Sequence, residues 1–243
     1  MRDWLSFSSL VPAGAAAALL LAASRAMGVS ANGESAALAA SGTLVVYNVD
    51  RLRDLRADRA TSPQRTAFIE QNRVPILVLT VFAGIGSGCL ALQASGEVLL
   101  LCGGVLGLGL LHRRLKQQDA WKGLYVTAAW VGVTAGIPAL SAPDAPAMPW
   151  VLAIYSGAIG ANLIATQLRQ QFTKPGLLKA ACLAAASLLA ALLGPAAVGP
   201  LVCIPGCVGL ALAGFRPGER YGLVVVDGAL LLGGVAALAL SSP

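Results

Sequence analysis

Three aspartates with helical spacing are the residues of this sequence best suited to chemistry. Asp50, Asp54 and Asp58 stand four residues apart, so in a helix they form one carboxylate stripe. Like charges on one face repel, and either interleaved cations or a bound divalent metal relieves the repulsion. Mg²⁺ binds through one or two carboxylates together with phosphate oxygens. The alternative is a solvated helix end neutralised by the arginines between the aspartates, and the spacing does not choose between the two.

A cluster of cations offers a second kind of phosphate chemistry. Arg113, Arg114, Lys116 and Lys122 lie within ten residues of one another. Guanidinium and ammonium groups bind phosphate oxygens directly. The alternative is that these residues only mark the cytoplasmic side of a membrane protein.

Polar residues inside apolar stretches are the third group. A charge at the centre of a membrane helix costs about 2.5–3.5 kcal/mol on insertion scales. Asp227, the deepest acidic residue, is therefore expected to face the interior of a helix bundle, pairing with an arginine of an inner loop or binding a polar ligand. Asn162 and Gln167 need internal partners for the same reason.

The elements that position these residues are apolar helices. The chain has 243 residues, of which 57% are hydrophobic and 12% charged, whereas a soluble domain has about 25% charged residues. A membrane helix takes about 20 apolar residues, and nine such stretches follow one another. They cover residues 5–27, 36–54, 74–93, 98–115, 124–140, 150–168, 177–193, 196–215 and 221–240. The sequence predicts an all-α polytopic membrane protein in which residues 1–243 form a single domain of nine transmembrane helices.

The positive charges predict the orientation of this bundle. Lys and Arg in short loops stay on the cytoplasmic side. With the N-terminus inside, every Lys and Arg except Arg25 falls on the inner side. We therefore predict a cytoplasmic N-terminus and an external C-terminus in the cytoplasmic membrane. The first stretch is also compatible with a signal peptide, although its apolar run is long and a second span follows at once.

Several function classes are disfavoured. The net charge of +6 is explained by basic loops at an anionic leaflet, without the clustered basic patch of a nucleic-acid binder. One histidine and five cysteines without a CxxC pair make a zinc site improbable. Eight short connections leave no room for a soluble catalytic domain, so any chemistry belongs to the bundle and its loops.

The run from Asp50 to Asp54 (DRLRD) and the loop from Thr61 to Arg65 (TSPQR) resemble the aspartate-rich motif and following loop of the UbiA superfamily of intramembrane prenyltransferases. The resemblance implies nine helices and a cytoplasmic active site. It also implies Mg²⁺, held by two aspartate motifs, and transfer of a prenyl group from a prenyl diphosphate to an acceptor that is often aromatic.

The resemblance assigns roles to individual residues. Asp50 and Asp54 are implied as metal ligands, and the cations expected to bind the diphosphate are Arg51, Arg113, Arg114, Lys116 and Lys122. The substrate cavity is expected to include Asn48, Asn162, Gln167, Gln170 and Asp227, with Tyr125 and Trp130 as further candidates for its wall. Val46 and Tyr47 replace the Asn-Asp of the first motif, while Gln167 and Gln170 stand where the second motif has carboxylates. Glutamine is neutral and does not neutralise Mg²⁺.

Two hypotheses follow, and they differ in whether the protein reacts with its ligand. In the first, the protein is a prenyltransferase that works with one metal motif and cationic clamps. In the second, it is a noncatalytic relative that binds or presents an isoprenoid lipid. A secondary transporter is a weaker third hypothesis, because no paired broken helices are evident near the midplane.

Overall fold

The computed structural model describes residues 4, 7–30, 32–115, 119–168 and 172–241. For residues 57, 110–115 and 119–122 it describes the backbone only. The described chain is helical, with no strand in these ranges. Its α-helices are α1 (Leu10–Ala26), α2 (Gly33–Arg53), α3 (Leu55–Thr61), α4 (Pro63–Gln71), α5 (Arg73–Gln93), α6 (Gly96–Leu115), α7 (Asp119–Val131), α8 (Ile137–Ser141), α9 (Met148–Leu168), α10 (Lys174–Leu193), α11 (Cys203–Ala213) and α12 (Asp227–Leu240).

Three further helical turns extend these helices into longer rods. Gly132–Gly136 is a π-helical turn between α7 and α8, and Tyr221–Val226 is a π-helical turn that leads into α12. Ala196–Val202 is a 3₁₀ turn that leads into α11. The described part of each of the nine predicted apolar stretches therefore lies mainly on helical backbone.

Six rods of the described chain are long and apolar enough to cross a membrane. They are Arg73–Gln93, Gly123–Ser141, Met148–Leu168, Lys174–Leu193, Ala196–Ala213 and Tyr221–Leu240. Leu10–Ala26 and Gly96–Gly109 are apolar but shorter. The chain is thus an all-helical, multi-pass membrane protein.

Helix α1 lies in the middle of the bundle, where it packs against α2 and α12. Most of its Ala and Leu side chains are buried, with Leu19 and Leu20 at 0% and 1% exposure. Small side chains let neighbouring helices approach closely. The hydroxyl of Tyr155 on α9 donates to the carbonyl of Leu19 at 2.6 Å, so the polar tip of this fully buried ring is satisfied.

Glycine permits two other close helix contacts. A Cβ atom on Gly157 would lie 2.8 Å from the Cβ of Ser187 on α10. One on Gly233 of α12 would lie 2.7 Å from the Cα of Ile204 on α11. Helices α9 and α10, and α11 and α12, therefore touch at distances that leave no space for a side chain. By contrast, α5 lies at the periphery, and its apolar side chains are largely exposed.

Side-chain contacts bring several connections together at one end of the bundle. The ring of Trp4 meets that of Phe68 on α4, and Phe172 stacks on Phe215. Glu219 bonds to the backbone of Gln64. We call this end, formed by residues 50–72 and 214–220, the charged end. At the opposite end, Arg25 donates to the carbonyls of Leu238 and Ser241, where a cation stabilises a helix C-terminus.

Candidate functional site

The acidic segment keeps its helical spacing although the helix bends within it. Asp54 separates α2 from α3, with φ −99° and ψ 11°. Its N–H nevertheless donates to the carbonyl of Asp50 at 3.0 Å, and the N–H of Asp58 donates to the carbonyl of Asp54 at 2.9 Å. The three aspartates therefore follow one another at intervals of one helical turn, from the end of α2 into α3.

The three carboxylates differ in their surroundings. Asp58 accepts from Nη2 of Arg65 at 2.5 Å in an ion pair whose side chains are 19% and 9% exposed. Asp50 is exposed and Asp54 is half-buried. The carboxylate of Asp50 is close enough to act electrostatically on Tyr47 and Tyr125.

Asp50 and Asp54 fit the requirements of Mg²⁺ in an open site. They supply two oxygen ligands one turn apart, and Mg²⁺ takes one or two carboxylates and completes its shell with water and phosphate oxygens. In the described ranges, three or more His, Cys, Asp or Glu side chains do not converge anywhere. Any metal held here would therefore depend on its ligand for most of its coordination shell.

Arg51 and Asn48 point toward the N-terminal segment. Arg51 is 5% exposed, donates from Nη1 to the carbonyl of Phe7 at 2.8 Å, and lies 5.7 Å from the ring centroid of Tyr47. The side-chain oxygen of Asn48 accepts from the hydroxyl of Ser9 at 2.6 Å. The described residues offer no partner to its Nδ2 atom. Both side chains thus tie the start of the chain to α2.

A small polar cavity lies deeper in the bundle. Tyr47, Trp130, Asn162 and Asp227 line it together with apolar side chains. Its volume of about 10 Å³ is room for roughly one water molecule. Trp130 Nε1 donates to the hydroxyl of Tyr47 at 3.1 Å. Asn162 and Asp227, predicted on the sixth and ninth segments, therefore meet at one place, whereas Asn48, predicted on the second segment, does not line this cavity.

Asp227 and Asn162 are both engaged by groups of the bundle. The hydroxyl of Thr166 lies 3.4 Å from Oδ1 of Asp227. Asn162, which is 3% exposed, donates from Nδ2 to the carbonyl of Val226 at 2.5 Å. Asp227 therefore faces the interior, as expected.

The two π-helical turns flank this cavity, and the sequence analysis missed both. The turn Gly132–Gly136 begins two residues after Trp130, and the turn Tyr221–Val226 ends directly before Asp227. A π turn interrupts the normal backbone ladder and is frequent at functional sites. Asn162 donates to the carbonyl of Val226, the last residue of the second turn. Pro138, which lacks an N–H, was the available signal for the first turn, whereas the second has no comparable signal.

Glu219 is a further residue that the sequence analysis missed. Its carboxylate accepts from the backbone N–H of Gln64 at 3.1 Å and of Arg65 at 2.8 Å, which are donors of the first turn of α4. Arg220 Nε donates to the side-chain oxygen of Gln64 at 2.9 Å. Ser62 followed by Pro63 is a typical helix start, but its partner lies more than 150 residues away in the chain.

The remaining predicted residues are only partly placed. Gln167 lies on α9 with an exposed side chain. Lys116 and Gln170 lie outside the described residues, as do the side chains of Arg113, Arg114 and Lys122. The structure thus brings together Tyr47, Trp130, Asn162 and Asp227, and it places Asp50 above them at the charged end.

Comparisons of the chain with protein-family models, with curated proteins and with solved structures find no match.

Proposed function

We propose that the chain is an integral-membrane prenyltransferase similar to the UbiA enzymes, with nine spans, an internal N-terminus and an external C-terminus. In this proposal it transfers a prenyl group from a prenyl diphosphate to a small hydrophobic acceptor, such as an aromatic ring. The reaction takes place at the cytoplasmic face of the inner membrane, which corresponds to the charged end of the bundle.

One observation carries this proposal, namely the alignment of Asp50 with the polar cavity. Asp50 is exposed at the charged end, and Tyr47 lies one turn deeper on the same helix, where it lines the cavity with Asp227. A prenyl diphosphate has a polyanionic head and an apolar chain. An exposed carboxylate and a half-buried one at the membrane surface, next to an apolar bundle, suit such an amphiphile.

The charge of the departing diphosphate explains why this reaction needs a metal ion and cationic side chains. Cleavage of an allylic carbon–diphosphate bond places negative charge on the departing oxygens, which must be stabilised. When bound, Mg²⁺ supplies this stabilisation by screening the diphosphate charge, and Asp50 and Asp54 would hold it. Because Arg51 bonds to Phe7, the cations proposed for the diphosphate are Arg113, Arg114, Lys116 and Lys122.

The test compares Asp50→Asn and Asp54→Asn with Asp144→Asn, an exposed aspartate at the opposite end. We expect Mg²⁺-dependent transfer of a radiolabelled prenyl group by the purified protein. Each of the first two substitutions should lower the rate by about 10²-fold or more, while Asp144→Asn should retain it. Full activity in both Asp50→Asn and Asp54→Asn would eliminate the metal role.

A noncatalytic isoprenoid-binding protein is the second candidate, and one observation favours it. Gln167 is neutral where the family has a carboxylate. This candidate predicts that prenyl diphosphate binds without turnover and equally well with a chelator present. A calorimetric titration with and without EDTA separates the two, because the enzyme hypothesis requires the affinity to fall when Mg²⁺ is removed.

A further inference from the structure

The N-terminus of α4 is capped in an unusual way. Ser62 occupies the N-cap position, where a serine hydroxyl normally accepts an N–H of the first turn. Here its hydroxyl makes no such bond. The carboxylate of Glu219 instead accepts from Gln64 N–H and Arg65 N–H. An oxyanion from another part of the chain therefore already occupies the anion-binding position of this helix.

Three buried donors next to this position have no partner within the described chain. They are Ser62 Oγ, Arg65 Nε and Thr66 Oγ1, on residues that are 0%, 7% and 2% exposed. Their spacing of three and four residues places them on one face of the first turn. A buried donor without a partner costs about 1–3 kcal/mol, so three together indicate a missing acceptor.

We propose that the first turn of α4 is a binding site for a phosphate group and that Glu219 closes it in this structure. Both oxygens of Glu219 are used on the two backbone N–H groups. A phosphate has further oxygens, so it can accept from the same N–H groups, from the two hydroxyls and from Arg65 Nε. In the phosphate-bound state Asp58 keeps its ion pair with Nη2 of Arg65.

Binding at this site frees the loop that carries Glu219. Ser62 is fully buried, so a phosphate enters only when Glu219 leaves. The same loop is held by the bond from Arg220 Nε to Gln64. The phosphate comes either from a phospholipid headgroup or from a soluble phosphate compound, since the site lies at the charged end. This proposal is independent of the metal pair Asp50 and Asp54 and of any transferase activity.

The experiment measures phosphate binding to the full-length protein in a neutral detergent. One arm titrates inorganic phosphate at constant ionic strength, and the other titrates short-chain phosphatidic acid, both followed by calorimetry. Glu219→Gln removes the competing charge. If Glu219 occupies the site in about 90% of the wild-type molecules, the variant should bind phosphate about tenfold more tightly. The matched control is Glu70→Gln, which removes an exposed carboxylate from the same helix and should leave the affinity unchanged.

A second variant tests the donors themselves. The double substitution Ser62→Ala and Thr66→Val removes two hydroxyls whose oxygens have no partner in the described chain, so the protein should fold normally. It should weaken phosphate binding about tenfold, because two direct bonds are lost. Saturable binding in either arm identifies the source of the phosphate. The proposal is overturned if Glu219→Gln binds neither compound, if Glu70→Gln tightens binding equally, or if the double variant binds like wild type.

Discussion

The polar cavity and the charged end differ in the kind of contact that their polar side chains make. In the cavity, the carboxylate of Asp227 lies near the hydroxyl of Thr166, and Asn162 bonds to a backbone carbonyl. At the charged end, Asp58 pairs with Arg65 and Glu70 pairs with Arg59, each at 2.5 Å. A neutral hydroxyl and a neutral amide therefore contribute to the cavity, whereas two ion pairs contribute at the charged end.

This difference follows from the surroundings of the two regions. In an apolar bundle a polar group without a partner is costly, and neutral hydrogen bonds satisfy it without bringing in a second charge. At an aqueous end, charges remain hydrated, and a pair contributes only as much as its burial allows. The largest electrostatic contribution should therefore come from the least exposed ion pair of the charged end.

Replacing Arg65 with methionine should have the largest effect. It leaves the carboxylate of Asp58 with 19% exposure and without this cation. Breaking a buried pair by removing one partner is strongly destabilising, so we expect the free energy of unfolding to fall by about 3 kcal/mol. Unfolding in mixed SDS micelles measures the loss. A smaller loss in Arg65→Met than in Asn162→Ala would reverse the ranking.

Replacing Asn162 with alanine should have an intermediate effect. The carbonyl of Val226 loses its bond from Nδ2, and interhelical hydrogen bonds in membranes contribute about 0.6–1.7 kcal/mol. We expect a loss of about 1.5 kcal/mol in the same assay. The control is Thr134→Val, because this buried hydroxyl bonds only to a carbonyl of its own helical rod. Equal losses in both variants would show that contact between helices is not the reason.

Replacing Glu70 with glutamine should have the smallest effect. Its pair with Arg59 is short, but the side chains are 41% and 68% exposed. Exposed pairs contribute about 0–1 kcal/mol and are screened by salt. We expect a change of less than about 0.5 kcal/mol, which should vanish at 1 M NaCl. A loss comparable to that of Arg65→Met would show that pair geometry, not burial, sets the contribution.

Much of the fold could be predicted from hydrophobicity. The described part of each of the nine apolar stretches is mainly helical, and six rods of the described chain meet the length and apolarity of a membrane span. The predicted helical spacing of Asp50, Asp54 and Asp58 is present in the backbone. These features are local, because they depend on the period of one segment and on its transfer free energy.

The partners of the site residues could not be predicted in the same way. Arg51 has the sequence context of a phosphate ligand, yet it bonds to the backbone of Phe7. Glu219 has no motif, yet it caps a helix that begins more than 150 residues earlier. Such bonds depend on which helix ends become neighbours, and local sequence does not contain that information.

The sequence by itself determined that the chain is a bundle of membrane helices and that its carboxylates stand at helical intervals, because composition and periodicity act within each segment. Only the tertiary structure decided which charged side chains bind other groups of the protein. It paired Asp58 with Arg65, tied Arg51 to the N-terminal segment and left Asp50 exposed beside Tyr47. The physical reason is that a charge takes its partner from whatever the packed helices bring within about 3 Å.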